Sequence, residues 1–217
     1  MDWAATRKWM VDGQLRPNKV TNGRLLEAMH ELPREDFVPA AFAARAYADA
    51  DVPLIDGRAL AKPMTFARLV QLADVKPGEK VLLVGANTGY GAVVLARMGA
   101  VVTALESDAG LLAMARGMLA KFPEMGVTLA QGPLTEGHAD GAPYDLVLIE
   151  GMVEAIPAAL VGQIAEGGRL VAVRRQPGRV PSAIIGHRLG GGLTVTEAFD
   201  LSAPLLSAFL RVPSFSL

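Results

Sequence analysis

A chain of 217 residues, 51% of them hydrophobic, has the material for one large three-layer core. Its 21 Lys and Arg against 22 Asp and Glu leave a net charge of −1, which provides no field to attract nucleic acid or an anionic membrane. The absence of cysteine excludes disulfides, thiolate metal sites and a thiol nucleophile, and it fits a reducing compartment, so the cytoplasm is the expected location.

The N-terminal residues mix Asp2, Arg7 and Lys8 with Trp3 and Trp9, unlike the apolar centre of a signal peptide. From residue 4 to about residue 50, Met10, Leu15, Leu25, Leu26, Met29 and Phe37 recur at helical spacings broken by Pro17 and Pro33, which predicts a helical cap. Residues 51–63 read as a loop and 65–73 as a helix. The valine- and leucine-rich run 80–84 then leads through a glycine turn into a helix over 90–98. The most apolar stretch, 91–105, is interrupted by Arg97 and falls short of the ~20 residues a membrane span needs.

Alternation continues with a strand at 101–105, a helix at 109–122, strands at 127–130 and 144–149, a helix near 156–164 and a strand at 169–173. Such alternation predicts a mostly parallel sheet with helices on both faces, closed by a hairpin of 182–189 and 193–199 around Gly190-Gly191-Gly192. The fold expected is a Rossmann-like α/β domain over 1–217, with 1–63 as cap and substrate loop and 64–217 as cofactor-binding core.

The turn Gly85-Ala86-Asn87-Thr88-Gly89-Tyr90-Gly91 lies where an open α/β sheet binds ligands, because glycines admit close approach and the following helix offers free N–H groups. Glu106 follows the next strand, 21 residues after Gly85, and brings a carboxylate able to accept from both hydroxyls of a ribose. Turn and acid together indicate an adenosine ligand. A nicotinamide enzyme is the weaker reading, because the dinucleotide fingerprint needs glycine where Asn87 and Tyr90 stand.

On Leu32-Pro33-Arg34-Glu35-Asp36-Phe37-Val38-Pro39, Lys76-Pro77-Gly78-Glu79-Lys80-Val81-Leu82, Thr88-Gly89-Tyr90, Ala142-Pro143-Tyr144-Asp145 and Gly167-Gly168-Arg169-Leu170-Val171, the chain resembles the protein-L-isoaspartate (D-aspartate) O-methyltransferases. The resemblance implies S-adenosylmethionine as cofactor, held by Gly85, Ala86, Asn87, Gly89, Glu106 and Gly132, and isoaspartyl-containing proteins or peptides as partners. It also marks departures. Leu83 stands at the place of an acid that helps hold the cofactor, Asn87 at that of a glycine, Gly132-Pro133-Leu134 at that of Gly-Asp-Gly, and Ala61 at that of a substrate-side serine. Lys62 beside it could draw in a carboxylate or be simply solvated.

These departures keep two further readings open: a catalytically degenerate scaffold on the same fold, and a methyltransferase with another acceptor. His30, His138 and His187 lack metal-ligand spacing, so no metal is expected. Met114 and Met118 read as a core-facing stripe and Arg174-Arg175 as a solvated pair. Ser202, Ser207, Ser214 and Ser216 lack a nucleophile elbow. The sequence leaves oligomeric state open.

Overall fold

The computed structural model describes residues 1–211; Ser214 and Ser216 lie outside them. The N-terminal region is helical, with α1 (Trp3–Met10) capped by Asp2 through Ala5 N at 3.0 Å and α2 (Gly23–Glu31) capped by Asn22 through Leu25 N at 3.1 Å. A π-helical segment, Val11–Leu15, continues α1. The cap residues expected from spacing, Met10, Leu15, Leu25, Leu26, Met29 and Phe37, are all buried in one apolar cluster with the sheet's Val81, Leu83 and Leu148.

The stretch expected as a loop contains a small antiparallel hairpin, β1 (Val52–Pro53) with β2 (Ala59–Leu60), before α3 (Pro63–Ala73). Then come β3 (Lys80–Val84), α4 (Tyr90–Arg97), β4 (Val101–Glu106), α5 (Ala109–Leu119), β5 (Thr128–Gln131), β6 (Tyr144–Val153), α6 (Ala158–Gly162), β7 (Ile164–Arg174), β8 (Ser182–Leu189) and β9 (Gly192–Asp200). The seven larger strands form one sheet in the order β5-β4-β3-β6-β7-β8-β9, parallel from β5 to β7 and antiparallel from β7 to β9.

Along β3, Val81 and Leu83 enter the cluster shared with the cap, while Leu82 and Val84 enter a second cluster on the opposite face. A strand covered on both sides must be apolar throughout, and each Val or Leu so buried contributes about 1.5–3 kcal/mol. The central strands of a parallel sheet therefore read as uninterrupted apolar runs.

Three expectations need correction. The strand expected to stop at Ile149 runs on to Val153, and its partner begins at Ile164, because β6 and β7 stay paired across register irregularities at both ends. On α5 the buried stripe is Leu111, Leu112 and Ala115, while Met114 and Met118 sit half-buried at its margin. Arg174 and Arg175 are ion-paired, to Glu197 at 2.8 Å and Glu154 at 2.5 Å. Among the described residues no helix is long and apolar enough to cross a membrane, and no cluster of His, Asp and Glu is placed to hold a metal.

Leu83 occupies the family's acidic position, yet it is fully buried beside Ala104 and Leu148. Restoring the acid by Leu83→Asp should bury a carboxyl among apolar neighbours and cost more than about 3 kcal/mol. Urea unfolding monitored by circular dichroism measures this; an unchanged midpoint would show that polar partners are within reach.

Candidate active site

The turn after β3 takes conformations that its residues are suited to hold. Gly85 (φ 78°) and Gly89 (φ 92°) adopt positive φ, and so does Asn87 (φ 51°). Asparagine is among the few side chains that tolerate this region, so the substitution of a family glycine by Asn87 keeps the backbone path. The amides of Gly85 and Ala86 both donate to the Leu105 carbonyl at 3.0 Å, which pins the turn to the end of β4. Thr88 donates its hydroxyl to the Phe37 carbonyl at 2.6 Å and ties the turn to the cap. Gly89 precedes α4 without a side-chain cap.

In β4 and β6, the two strands flanking β3, Leu105 and Ile149 are both level with Val84. The next residues, Glu106 and Glu150, are therefore both level with Gly85, one on each side of the turn. Each carboxylic acid is buried at the end of an apolar run, but their surroundings are opposite.

Glu106 is saturated with donors. Its Oε2 accepts from the Asn87 amide at 2.8 Å and its Oε1 from the Ser107 and Asp108 amides at 2.8 and 3.1 Å. Arg58, from the β1–β2 loop, completes the set with Nη1 and Nη2 at 2.9 and 3.0 Å. Arg58 Nη2 also reaches the Asn87 side-chain oxygen at 2.9 Å. A Cβ added to Gly85 would meet Leu206 Cδ1 at 3.3 Å and Arg58 Nη2 at 3.4 Å, so these two side chains cover the turn. Gly132 lies alongside, its amide donating to the Glu106 carbonyl at 3.2 Å.

Glu150 is bare. Neither of its oxygens has a hydrogen-bond partner among the described residues, and a side chain at Gly91 would collide with one of them. Burial pushes its carboxyl up to about 8 against the pull of the Arg34 and Arg58 charges, with Glu106 adding to the rise. Arg34 is itself fully buried, which lowers its pKa, and its guanidinium carbon lies 4.7 Å from the centroid of the Tyr90 ring.

The residues expected on the substrate side are placed differently. Ala61 is buried and contributes its carbonyl, which accepts from Arg34 Nη2. The Lys62 ammonium lies 3.3 Å from Asp49, and the Lys62 amide donates to Asp51 at 2.8 Å. Its charge is thus paired on the loop, neither free nor aimed at Glu106. Sequence reasoning missed Arg34, Arg58 and Glu150 as site residues. For Glu150 a signal existed: Leu-Ile-Glu at 148–150 closes an apolar run as Ala-Leu-Glu does at 104–106.

A parallel sheet extended by an antiparallel hairpin, with a glycine turn after β3 and an acid at the end of β4, defines a Rossmann-like domain of the methyltransferase type. The profile of the protein-L-isoaspartate(D-aspartate) O-methyltransferase (PCMT) family matches residues 6–179, and the chain belongs to that family. A protein-L-isoaspartate O-methyltransferase of Methylorubrum populi is 41% identical over 174 residues, covering 80% of this chain and 82% of that one. One from Koribacter versatilis is 38% identical over 190 residues, covering 82% and 86%. Among solved structures, a protein-L-isoaspartate O-methyltransferase superposes with TM-score 0.80 at 21% identity, over 93% of this chain and 66% of that longer one. A putative Plasmodium falciparum enzyme of that name, in complex with S-adenosyl-L-homocysteine, gives 0.78 at 17%, over 96% and 99%.

The bare acid carries a stability consequence that needs no ligand. Glu150 holds its proton in the folded state up to a pH of about 8, whereas in the unfolded chain it ionises near the ordinary glutamate value of 4.5. Between those values the unfolded state binds fewer protons, so stability falls as pH rises through that window. Glu150→Gln should remove the penalty, gaining on the order of 1–3 kcal/mol at pH 7 and little at pH 4. Denaturant unfolding of both proteins across pH checks this; a difference independent of pH would mean that Glu150 ionises normally.

Proposed function

We propose that the chain is an S-adenosylmethionine-dependent O-methyltransferase that methylates the isoaspartyl carboxylate of damaged proteins in the cytoplasm. The observation that carries the reading is the Glu106 carboxylate, buried at the end of β4 against the turn at 85–89 in a chain of this family. The residues present fit the cofactor. Positive-φ Gly85, Asn87 and Gly89 shape an open backbone turn, and Glu106 can exchange Arg58 for the two ribose hydroxyls while keeping its three backbone donors. Gly132 and Ala86 flank that seat.

When bound, S-adenosylmethionine supplies a methyl group on a sulfonium centre. An ordinary carboxylate is ionised at pH 7, so the protein has no proton to remove from the acceptor and its task is to orient and to exclude water. The scaffold reading would require that the Arg58–Glu106 pair never opens; another acceptor would require that the site discriminate against an isoaspartyl group.

Two variants test the cofactor seat with opposite signs. Glu106→Ala should weaken S-adenosylhomocysteine binding by about 2–3 kcal/mol, the worth of a charged bidentate contact. Arg58→Ala should tighten binding by about tenfold, because the ligand no longer displaces a resident guanidinium. Calorimetric titration reads both; weaker binding by Arg58→Ala would place Arg58 on the ligand. Transfer of labelled methyl to an isoaspartyl peptide, but not to its aspartyl twin, tests the activity.

A further inference from the structure

Among the described residues three polar groups remain without a hydrogen-bond partner on the cap-side face of the sheet beside the turn: Arg34 Nη1, the Tyr90 hydroxyl and the Glu150 carboxyl with both its oxygens, on three side chains that are buried nearly completely. Leaving a buried donor or acceptor unmade costs about 1–3 kcal/mol, so a cluster of them calls for a partner. The rest of Arg34 is committed: its Nε donates to the Ala46 carbonyl at 2.8 Å and its Nη2 to the Ala61 carbonyl, which leaves Nη1 as its spare donor. Phe66 and Tyr90 wall the cluster, with ring centroids 5.8 Å apart, and Gly91 opens room for the Glu150 carboxyl where any side chain would clash.

We propose that Glu150 and Arg34 form the seat of the methyl-acceptor carboxylate, with the Glu150 carboxyl group donating one hydrogen bond to it and Arg34 Nη1 donating another. This rests on the reading of the chain as an isoaspartyl methyltransferase and names the side chains that do the aiming. Ala61 lacks the hydroxyl that the family resemblance places there, and its carbonyl instead holds the guanidinium that faces the acceptor. A donor is therefore supplied from β6 rather than from the loop.

The chemistry selects the donor role over a base. The acceptor is already anionic, so nothing needs to be deprotonated, and an ionised Glu150 would repel it. At pH 7 the carboxyl, with its pKa near 8, keeps its proton. The charged and titratable groups facing it are Arg34 from the segment after α2, Arg58 from the β1–β2 loop, Glu106 from β4 and Tyr90 from α4. Burial pushes the Tyr90 hydroxyl to about 12, so it stays neutral throughout.

The test measures methylation of an isoaspartyl peptide at saturating S-adenosylmethionine, and binding of the same peptide to the S-adenosylhomocysteine complex, from pH about 6 to about 9.5. In the parent protein kcat/KM should fall about tenfold per pH unit above the Glu150 pKa, and peptide binding there should take up a proton, seen as a buffer-dependent heat. Glu150→Gln, a permanent donor, should stay within about tenfold at neutral pH and lose both the alkaline fall and the proton uptake. Glu150→Ala should raise KM and lower kcat/KM about ten- to hundredfold, with Ala61→Ser in that background restoring part of the loss.

Homocysteine-analogue binding by each variant reports that the site has folded. A rate that rises with pH together with an inactive Glu150→Gln would overturn the proposal in favour of a base acting on a protic acceptor. Parent-like kinetics and binding in Glu150→Ala would overturn it by removing Glu150 from the site. If the parent binds S-adenosylhomocysteine yet neither binds nor methylates the peptide at any pH, the isoaspartyl reading itself falls and the seat falls with it.

Discussion

The Glu106 carboxylate at the end of β4 is where loop, turn and sheet meet. Six donors converge on its two oxygens, three from backbone amides that the turn and the start of α5 supply, two from Arg58 and one from the Ser107 hydroxyl at 3.4 Å. The amides fix the paths of residues 87 and 107–108, and the guanidinium fixes the β1–β2 hairpin over the turn. Removing one partner of a buried charge pair is costly because the other is left uncompensated, but here the amides remain to hold the anion. The site can therefore exchange the guanidinium for neutral hydroxyls at a cost set by one bidentate contact, without unfolding the strand end.

Glu150 shows how the same residue type at the equivalent register position acquires the opposite character. Glu106 is ringed by donors, while Glu150 sits beside Gly91 near an arginine that is mostly committed and has no hydrogen-bond partner among the described residues. Environment, not residue identity, sets how readily a carboxyl ionises, and burial without a hydrogen-bond donor pushes the Glu150 carboxyl up to about 8. The sheet makes the arrangement possible because β4 and β6 both pair with β3 and each carries an acid one residue past the partner of Val84.

The fold was legible where one local rule dominates. Residues 81–84 of β3 and 104–105 of β4 are buried and read as apolar runs, and the cap residues read from helical spacing join one apolar cluster, though Leu15 sits in a π-helical segment and Phe37 in a 3-10 turn. Arg58 was illegible because its partner is 48 residues away and nothing in the pattern around the β1–β2 loop announces it. The Lys62 ion pair is likewise not announced locally, because its partner, Asp49, lies thirteen residues earlier in the chain. The strand end at Ile149 was set two residues before a pair of small and flexible residues, Gly151 and Met152, whose pairing depends on β7 and on the Pro204 carbonyl that accepts from Met152 N at 2.7 Å. Tertiary pairing extended β6, and with it came the acid that local reading passed over.

The departures from the family pattern fall into two physical kinds. Asn87, where the resemblance implies a glycine, takes a left-handed φ of 51° that asparagine tolerates, and its amide donates to Glu106. Leu83, Pro133 and Ala61 stand where the resemblance implies polar side chains: Leu83 joins the core, Pro133 lies beside Gly132, whose amide pairs with the Glu106 carbonyl, and Ala61 holds Arg34 by its carbonyl. A reaction that needs alignment more than proton transfer is sensitive to where donors stand and tolerant of which residue provides them. What this chain keeps at the turn is the backbone cradle of Gly85, Asn87 and Gly89, with a second buried acid, Glu150, one residue past Ile149 on the neighbouring strand.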